Sequence, residues 1–282
     1  GASKVVITPT VVGGGSSGTL SAPDPDGIFT YTTSAGNALP ADAAGTWRVG
    51  LEVRRAVTVN GASVNEAARN PVRDFSVDGS AVAARRTVVA SANCEQCHGE
   101  FSKGFSVHGN LRNQIEYCVV CHNPNVSDAA RRIPAVAVGA DVATASVDLK
   151  HLIHKLHTGE ELSQQPYIVY GFGSPSFTAH DFGEVLFPGN RAACATCPVS
   201  GSQLLPLAAG LLPTRISAIS SGAEVVSGSL PPVTDACTSC HDAAAVFAHA
   251  ETNTTAGGAE ACAVCHGEGS IAAVSEVHAL GN

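Results

Sequence analysis

Short runs of β-favouring residues alternate with strong turn signals over the first 88 residues. Runs rich in valine, threonine and isoleucine lie at residues 4–12, 28–33, 46–59 and 73–77. Glycine- and proline-rich segments at residues 13–15 and 23–27 interrupt them. Such runs between turn residues are typical of antiparallel strands, so the pattern predicts a small antiparallel β-sandwich or barrel.

The run at residues 46–59 shows this alternation in most detail. The apolar residues on its one face are Leu51, Val53, Val57 and Val59, with Arg55 as the exception. The pair Asn60-Gly61 follows directly, and this dipeptide is a strong signal for a two-residue hairpin. The sequence therefore predicts a strand that enters a tight turn. Because this region contains no cysteine and no histidine, we interpret it as a spacer or docking module.

Residues from about 89 onward show a different pattern, in which loops dominate and short amphipathic stretches predict short helices. The clearest stretch is residues 147–157, VDLKHLIHKLH. Thr158 and Gly159 follow it and are typical of a helix end. The predicted fold class is thus a β part followed by an irregular module with short helices, with domains at residues 1–88 and 89–282.

Composition limits how this chain of 282 residues is stabilised and what it binds. Only 5% of the residues are aromatic, which is little material for a conventional core. The net charge is −8 and there is no basic stripe, which argues against nucleic acid as a partner. No run of about 18 apolar residues occurs, so no transmembrane helix is predicted. Because the chain begins Gly1-Ala2-Ser3 and lacks methionine, we expect a mature or processed form without its signal peptide.

The pentapeptide Cys-x-x-Cys-His occurs four times after residue 89, where composition alone predicts roughly 0.01 copies. This is the c-type haem attachment signature. The two thiols form thioethers with the vinyl groups of one haem, and the histidine ligates its iron. The four copies are CEQCH (Cys94, Cys97, His98), CVVCH (Cys118, Cys121, His122), CTSCH (Cys237, Cys240, His241) and CAVCH (Cys262, Cys265, His266).

Zinc, redox and disulfide chemistry explain these cysteines less well. Structural zinc uses two pairs per ion, but the ten cysteines form five pairs. A thioredoxin-like site has one pair near a βαβ unit, and five short disulfides leave the adjoining histidines unexplained. The sequence therefore predicts haem c at the four complete motifs. Covalent attachment takes place outside an energised membrane, which predicts an extracellular or outer cell-surface location.

The eleven histidines all lie after residue 89. Because the chain has no methionine, ligation by histidine and methionine is excluded, and two histidines per iron is the remaining common choice. Five such haems need six histidines beyond those of the motifs, and seven are present. We predict ligation by His108, His154, His157, His180, His249 and His278, with His151 as the spare. The sequence does not assign each histidine to a haem.

A fifth cysteine pair, Cys194 and Cys197 in CATCP, is followed by Pro198 in place of histidine. Three interpretations stay open. The pair binds a haem that takes both axial ligands from elsewhere, or it binds a five-coordinate and reactive haem, or it binds none and forms a disulfide or stays reduced. Continuity of a row of haems favours attachment, whereas the attachment machinery normally requires the histidine.

Longer strings around the motifs resemble the outer-membrane decahaem c-type cytochromes. The matching strings are CEQCHGEFSKGFSVHGN, YCVVCHNPN, VDLKHLIHKLHTG, HDFGEVLFPG, CATCPVSGSQLLPL, CTSCHDAAAVFAHA and CAVCHGEG, and TWRVGLEVRR is similar to part of a split-barrel domain. The family alternates two split barrels with two pentahaem modules. The resemblance therefore implies one split barrel and one pentahaem-like module, the second half of such a protein. The chain differs from the family at Pro198 and in having half the haem complement.

The resemblance implies electron transfer to metal oxides, flavins or other cytochromes through closely packed haems. We therefore predict an extracellular electron-conducting protein with no dedicated bond-making chemistry. Two other classes stay open. One is a multihaem reductase with an open iron at Cys194 and Cys197, to which Arg191 and His180 are near in sequence. The other is a filament subunit whose β domain docks onto the next copy.

Overall fold

The structure is a computed structural model that describes residues 18–35, 38–100, 108–137, 139–172 and 177–278. The strand predicted at residues 4–12 lies outside the described residues. The chain folds as two compact units that divide between Cys121 and His122. The sequence-based boundary between residues 88 and 89 stays a prediction.

The first unit contains six short strands in three separate antiparallel pairs. The strands are β1 (Gly18–Leu20), β2 (Tyr31–Thr33), β3 (Thr46–Gly50), β4 (Arg54–Val59), β5 (Ala62–Ala67) and β6 (Val72–Ser76). Strand β1 pairs with β2, β3 with β6, and β4 with β5. No closed barrel forms among the described residues, and the predicted small antiparallel β part is confirmed.

The predicted strand at residues 46–59 is two strands with different partners. The chain leaves the β3–β6 pair after Gly50, where the Leu51 amide donates to the Pro71 carbonyl at 3.0 Å, and Arg54 then begins the hairpin of β4 and β5. Asn60 and Gly61 connect these strands with φ values of 51° and 82°, as a type I′ turn requires. The change of partner explains why the alternating residues of this run do not share one buried face.

Two helices complete the described first unit, α1 (Ser91–His98) and α2 (Ile115–Cys121). A buried pair of asparagines joins the segment before α2 to the β-rich part. The Asn113 amide donates to Asn70 Oδ1 at 2.7 Å, and the Asn70 amide donates to Asn113 Oδ1 at 3.2 Å. Both residues are almost fully buried, so these reciprocal bonds fix how the second motif, which begins at Cys118, packs against the strands of its own unit.

The second unit combines short helices with two small sheets. Its described helices are α3 (Ala129–Arg132), α4 (Leu149–Thr158), α5 (Pro232–Thr238), α6 (Ala244–Thr252), α7 (Ala263–His266) and α8 (Val274–Val277). Its strands are β7 (Val142–Ala143), β8 (Ile168–Phe172), β9 (Phe177–Asp181), β10 (Thr214–Ser220) and β11 (Ala223–Leu230). Strand β10 lies between β7 and β11, and β8 pairs with β9.

Helix α4 is the helix predicted at residues 147–157. It begins later because Asp148 has an extended ψ of 128°, and it ends where Gly159 takes a φ of +50°. A Cβ atom at Gly159 would lie only 2.0 Å from the Val185 carbonyl oxygen, so the close approach of that loop requires glycine. The helix end that the sequence predicted therefore also serves packing.

The apolar core of the second unit is small, as the composition indicated. It is built around Leu162, Tyr167 and Val169, with Leu152 and Phe182 packed against them. Much of the remaining buried surface is polar. Among the described residues there is no helix that is long and apolar enough to cross a membrane.

Candidate haem-binding sites

Local helical geometry places the paired thiols of the motifs. Helix α1 contains CEQCH entirely, α2 ends at Cys121, α5 ends inside CTSCH, and α7 ends at His266. Residues three apart lie on one face of a helix, which is the arrangement that two thioether bonds to one flat macrocycle need. Cys194 begins a short 3-10 turn over Cys194–Thr196. All ten cysteines lie outside disulfide bonds.

The thiols of two motifs lie in buried surroundings. Burial raises the pKa of the Cys118 thiol and of the Cys237 thiol to about 11, and reactive or metal-binding cysteines instead have lowered pKa values. The described residues also contain no cluster of three or more cysteine, histidine or acidic side chains arranged to hold a metal ion.

Two pairs of histidine rings lie at the centroid separation that a shared iron requires, with interplanar angles of 49° and 84°. The ring centroids of His241 and His278 lie 5.9 Å apart, and those of His249 and His266 lie 6.2 Å apart. Metal–imidazole bonds are about 2 Å long, and adding roughly 1 Å from each nitrogen to its ring centroid gives about 6 Å. Each pair joins a motif histidine to a histidine outside the motifs, so these residues fit a haem iron ligated from both faces.

Backbone carbonyls orient four of the candidate ligands. The Nδ1 atoms of His122, His157, His266 and His278 lie 2.8 to 3.0 Å from the carbonyl oxygens of Val147, Ile153, Ala272 and Val274. A carbonyl only accepts hydrogen bonds, so each Nδ1 carries the proton and each Nε2 keeps a lone pair for a metal. Ligating histidines are commonly held this way.

The other candidate ligands occupy varied positions. His154 lies on α4 and is exposed. His180 lies on β9 and stacks on Phe182 with centroids 6.1 Å apart. His98 ends α1, and His108 has a φ of 50°.

His151, which we predicted as the spare histidine, lies in a buried polar network. Its Nδ1 lies 2.7 Å from Asp235 Oδ1 and 3.2 Å from Ser239 Oγ. Sequence reasoning did not identify Asp235 as part of the site, nor Asp242, which is also buried. The sequence signal that could have identified them is their position, since Asp235 lies two residues before Cys237 and Asp242 directly follows His241.

Asp235 is ionised despite complete burial. Burial opposes its ionisation, but the nearby His151 and Lys150 side chains, each 2.7 Å away, outweigh that effect and lower the pKa of Asp235 to about 2. An unfolded aspartate has a pKa of about 3.9, so folding stabilises the charged form. This contribution to stability is present above about pH 4 and is lost as the pH falls toward 2.

We expect this loss to appear as a pH-dependent difference between the wild type and Asp235→Asn. The wild type is the more stable near pH 5, and its advantage in unfolding free energy shrinks by about 2 kcal/mol by about pH 2. Denaturant unfolding followed by far-UV circular dichroism measures both values. A difference that does not change with pH contradicts the assignment.

A groove with both apolar and polar walls adjoins the last motif. Cys262 lines it together with Leu205, Leu207, Leu211 and Val233, and its volume is about 420 Å³. Pockets for cofactor-sized ligands span about 300 to 1,000 Å³ and are mostly apolar. The groove therefore has the size of a cofactor-binding pocket and is lined by one cysteine of the last motif.

These features define the class of the protein as a multihaem c-type cytochrome. The chain belongs to the MtrC/MtrF-like outer membrane cytochrome family, because the sequence model of domains II/IV of that family matches residues 86–279. The resemblance predicted from the sequence strings is thereby confirmed.

The chain is similar to the crystal structure of MtrC from Shewanella baltica OS185, with 17% sequence identity and a TM-score of 0.44. The match covers 85% of this chain and 40% of that one, so the chain spans less than half the length of that protein. No curated protein sequence matches the chain.

Proposed function

We propose that the protein conducts electrons at the outer cell surface through five closely packed c-type haems, each ligated by two histidines. The observation that carries this proposal is the opposition of His241 to His278 and of His249 to His266 at about 6 Å. Two histidines per iron leave no position for a substrate. When bound, haem supplies an iron that accepts and releases one electron.

The chain's own residues do positional work in this proposal. The ten cysteines of the five pairs attach the haems, and His98, His122, His241 and His266 bind iron from the attachment side. The six remaining ligands are His108, His154, His157, His180, His249 and His278, with His278 assigned to the haem of Cys240 and His249 to that of Cys265. Backbone carbonyls bonded to Nδ1 fix the orientation of several of these rings. Fixed rings limit how far the ligands rearrange when the iron is reduced.

The proposal includes a haem at Cys194 and Cys197 with both axial ligands from outside its motif. Six histidines outside the motifs supply the number that five haems need once His151 is assigned to the Asp235 network. Burial raises the pKa of the Cys194 thiol, and the nearby Cys240 thiol raises it further. This closeness of Cys194 and Cys240 supports the proposal that a fifth haem would adjoin the haem of CTSCH and continue the row.

The reductase alternative gains no support at this position. Arg191, the cation nearest to the fifth pair in sequence, forms an ion pair with Glu161. A substrate anion would therefore have to displace a carboxylate. We propose partner cytochromes, flavins and metal oxides as electron acceptors, and further copies of this chain as neighbours in a filament.

The haem count is tested by intact mass and absorption spectra of the purified protein. We expect a reduced Soret band and an α-band, only low-spin ferric signals, and a mass equal to the polypeptide plus five haems. The variant Cys194→Ala/Cys197→Ala should weigh one haem less and keep the other four. A wild-type mass with four haems contradicts the fifth site, and a colourless protein contradicts the whole proposal.

A further inference from the structure

Two buried carboxylates flank the CTSCH motif. Asp235 lies two residues before Cys237, Asp242 follows His241 directly, and the two residues are 0% and 1% exposed. An ionised carboxylate in such surroundings is very costly unless charged or hydrogen-bonding partners surround it. The partners of Asp235 and Asp242 therefore indicate which part of the fold these carboxylates hold in place.

Both carboxylates bind a lysine of helix α4. Lys150 Nζ lies 2.7 Å from Asp235 Oδ2, and Lys155 Nζ lies 3.3 Å from Asp242 Oδ2. The lysine side chains are themselves largely covered, with 29% and 12% exposed. Helix α4 is thus held against the two ends of the CTSCH motif at two separate points.

Each carboxylate also accepts two further hydrogen bonds. Asp235 accepts hydrogen bonds from His151 Nδ1 and from Thr214 Oγ1, each at 2.7 Å. Asp242 accepts from the backbone amides of Ser163 at 2.6 Å and Gln164 at 3.2 Å. A network with every member bonded permits one arrangement of its elements, so α4 cannot slide along the motif without breaking several bonds at once.

Stability alone is a weak reason for such a network. Well-packed apolar residues often stabilise a protein as much as a buried ion pair, or more. What the network adds is a defined position for α4, the helix that carries the candidate ligands His154 and His157. The Cys240 sulfur lies 3.9 Å from the His154 carbonyl oxygen, so a haem attached to Cys240 and an iron bound by His154 would be close neighbours in the proposed row.

We propose that Lys150, Lys155, Asp235 and Asp242, which we call the α4 clamp, are positioning residues that fix the separation and orientation of these two haems. The inference rests on the proposed function, since it takes His154 as an iron ligand. Electron transfer slows steeply as the distance between haem edges grows. A clamp at both ends of the motif therefore keeps electron transfer between these two haems rapid, although it contacts neither iron.

The paired charges also predict opposite electrostatic effects of single substitutions. Lys155→Met leaves the Asp242 carboxylate unmatched beside the CTSCH haem, which favours the ferric state and lowers its reduction potential. Asp242→Asn leaves the Lys155 cation unmatched and raises the potential. We expect each shift to be about tenfold in the ratio of reduced to oxidised haem, or about 59 mV for one electron, and the double variant to cancel most of both.

The experiment measures charge and geometry separately on the intact holoprotein. Potentiometric titration reports the potentials, and the exciton couplet of the Soret circular dichroism reports the relative position of neighbouring haems. We expect the couplet to weaken in Lys155→Met, Asp242→Asn and the double variant alike, and to persist in Lys155→Arg. The exposed Glu184 provides the control Glu184→Gln, which removes one charge and should change neither readout.

A purely structural role would lower the melting temperature without opposite shifts in potential. Variants with full haem mass and an unchanged couplet overturn the clamp while the proposed function stands. A wild-type protein without low-spin haem overturns the proposed function itself. Should Lys155→Met not accumulate as holoprotein, Lys150→Met carries the same expectation for the couplet, and an unchanged couplet there also overturns the proposal.

Discussion

Replacing His278 by methionine raises the reduction potential of one haem by about 0.1 V or more, within the range of roughly 0.8 V that axial ligands span. The His278 ring faces His241 at 5.9 Å, and a methionine side chain is long enough to bind the same iron through its sulfur. Ligation by histidine and methionine gives higher potentials than ligation by two histidines. Potentiometric titration measures the shift, and a near-infrared charge-transfer band reports the sulfur ligand.

The neighbouring Val277 provides the matched control for this substitution. Its side chain is 59% exposed, so Val277→Met adds a methionine close by while His278 stays in place. We expect the potentials of this control to equal those of the wild type. His249→Met should shift a different haem by a similar amount, and the two shifts should add in the double variant. Unchanged potentials in His278→Met would show that His278 is not a ligand.

Removing the Asp128 carboxylate lowers the unfolding free energy by about 3 to 5 kcal/mol, the usual cost of breaking a buried ion pair from one side. Asp128 is 2% exposed and binds Arg132 Nη2 at 2.7 Å. It also accepts hydrogen bonds from the backbone amides of Ala145 at 3.0 Å and Tyr170 at 2.9 Å. Asp128→Ala therefore leaves two partly buried amides without this acceptor, and the Arg132 guanidinium, which still donates to the Ile168 carbonyl at 2.8 Å, loses its counter-charge.

The nearby Asp141 is exposed, and Asp141→Ala serves as the control for loss of one carboxylate. We expect that control to lie within about 0.5 kcal/mol of the wild type. The double variant Asp128→Leu/Arg132→Met should recover only the part of the loss that comes from the unmatched guanidinium charge, because the Ala145 and Tyr170 amides still lack their acceptor. Denaturant unfolding monitored by circular dichroism tests all three. Equal stabilities of Asp128→Ala and Asp141→Ala would contradict the central role of Asp128.

Local patterns were predicted well from the sequence. Helix α4 and its end at Gly159 followed from apolar spacing and a glycine stop, and the Asn60-Gly61 turn followed from the dipeptide alone. The run at residues 46–59 was predicted less well, since it is two strands. Nothing within that run indicates that β6 and β5 compete as partners, because strand pairing depends on residues distant in sequence.

The amino-acid sequence by itself determined the cofactor chemistry, because haem attachment needs only five consecutive residues, whose spacing along one helical turn is fixed locally. Only the tertiary structure decided that His278 faces His241, that His249 faces His266 and that His151 binds Asp235. These partners are brought together by the path of the chain between them. Burial then decides which side chains need partners, and burial is a property of the packed molecule rather than of any short segment.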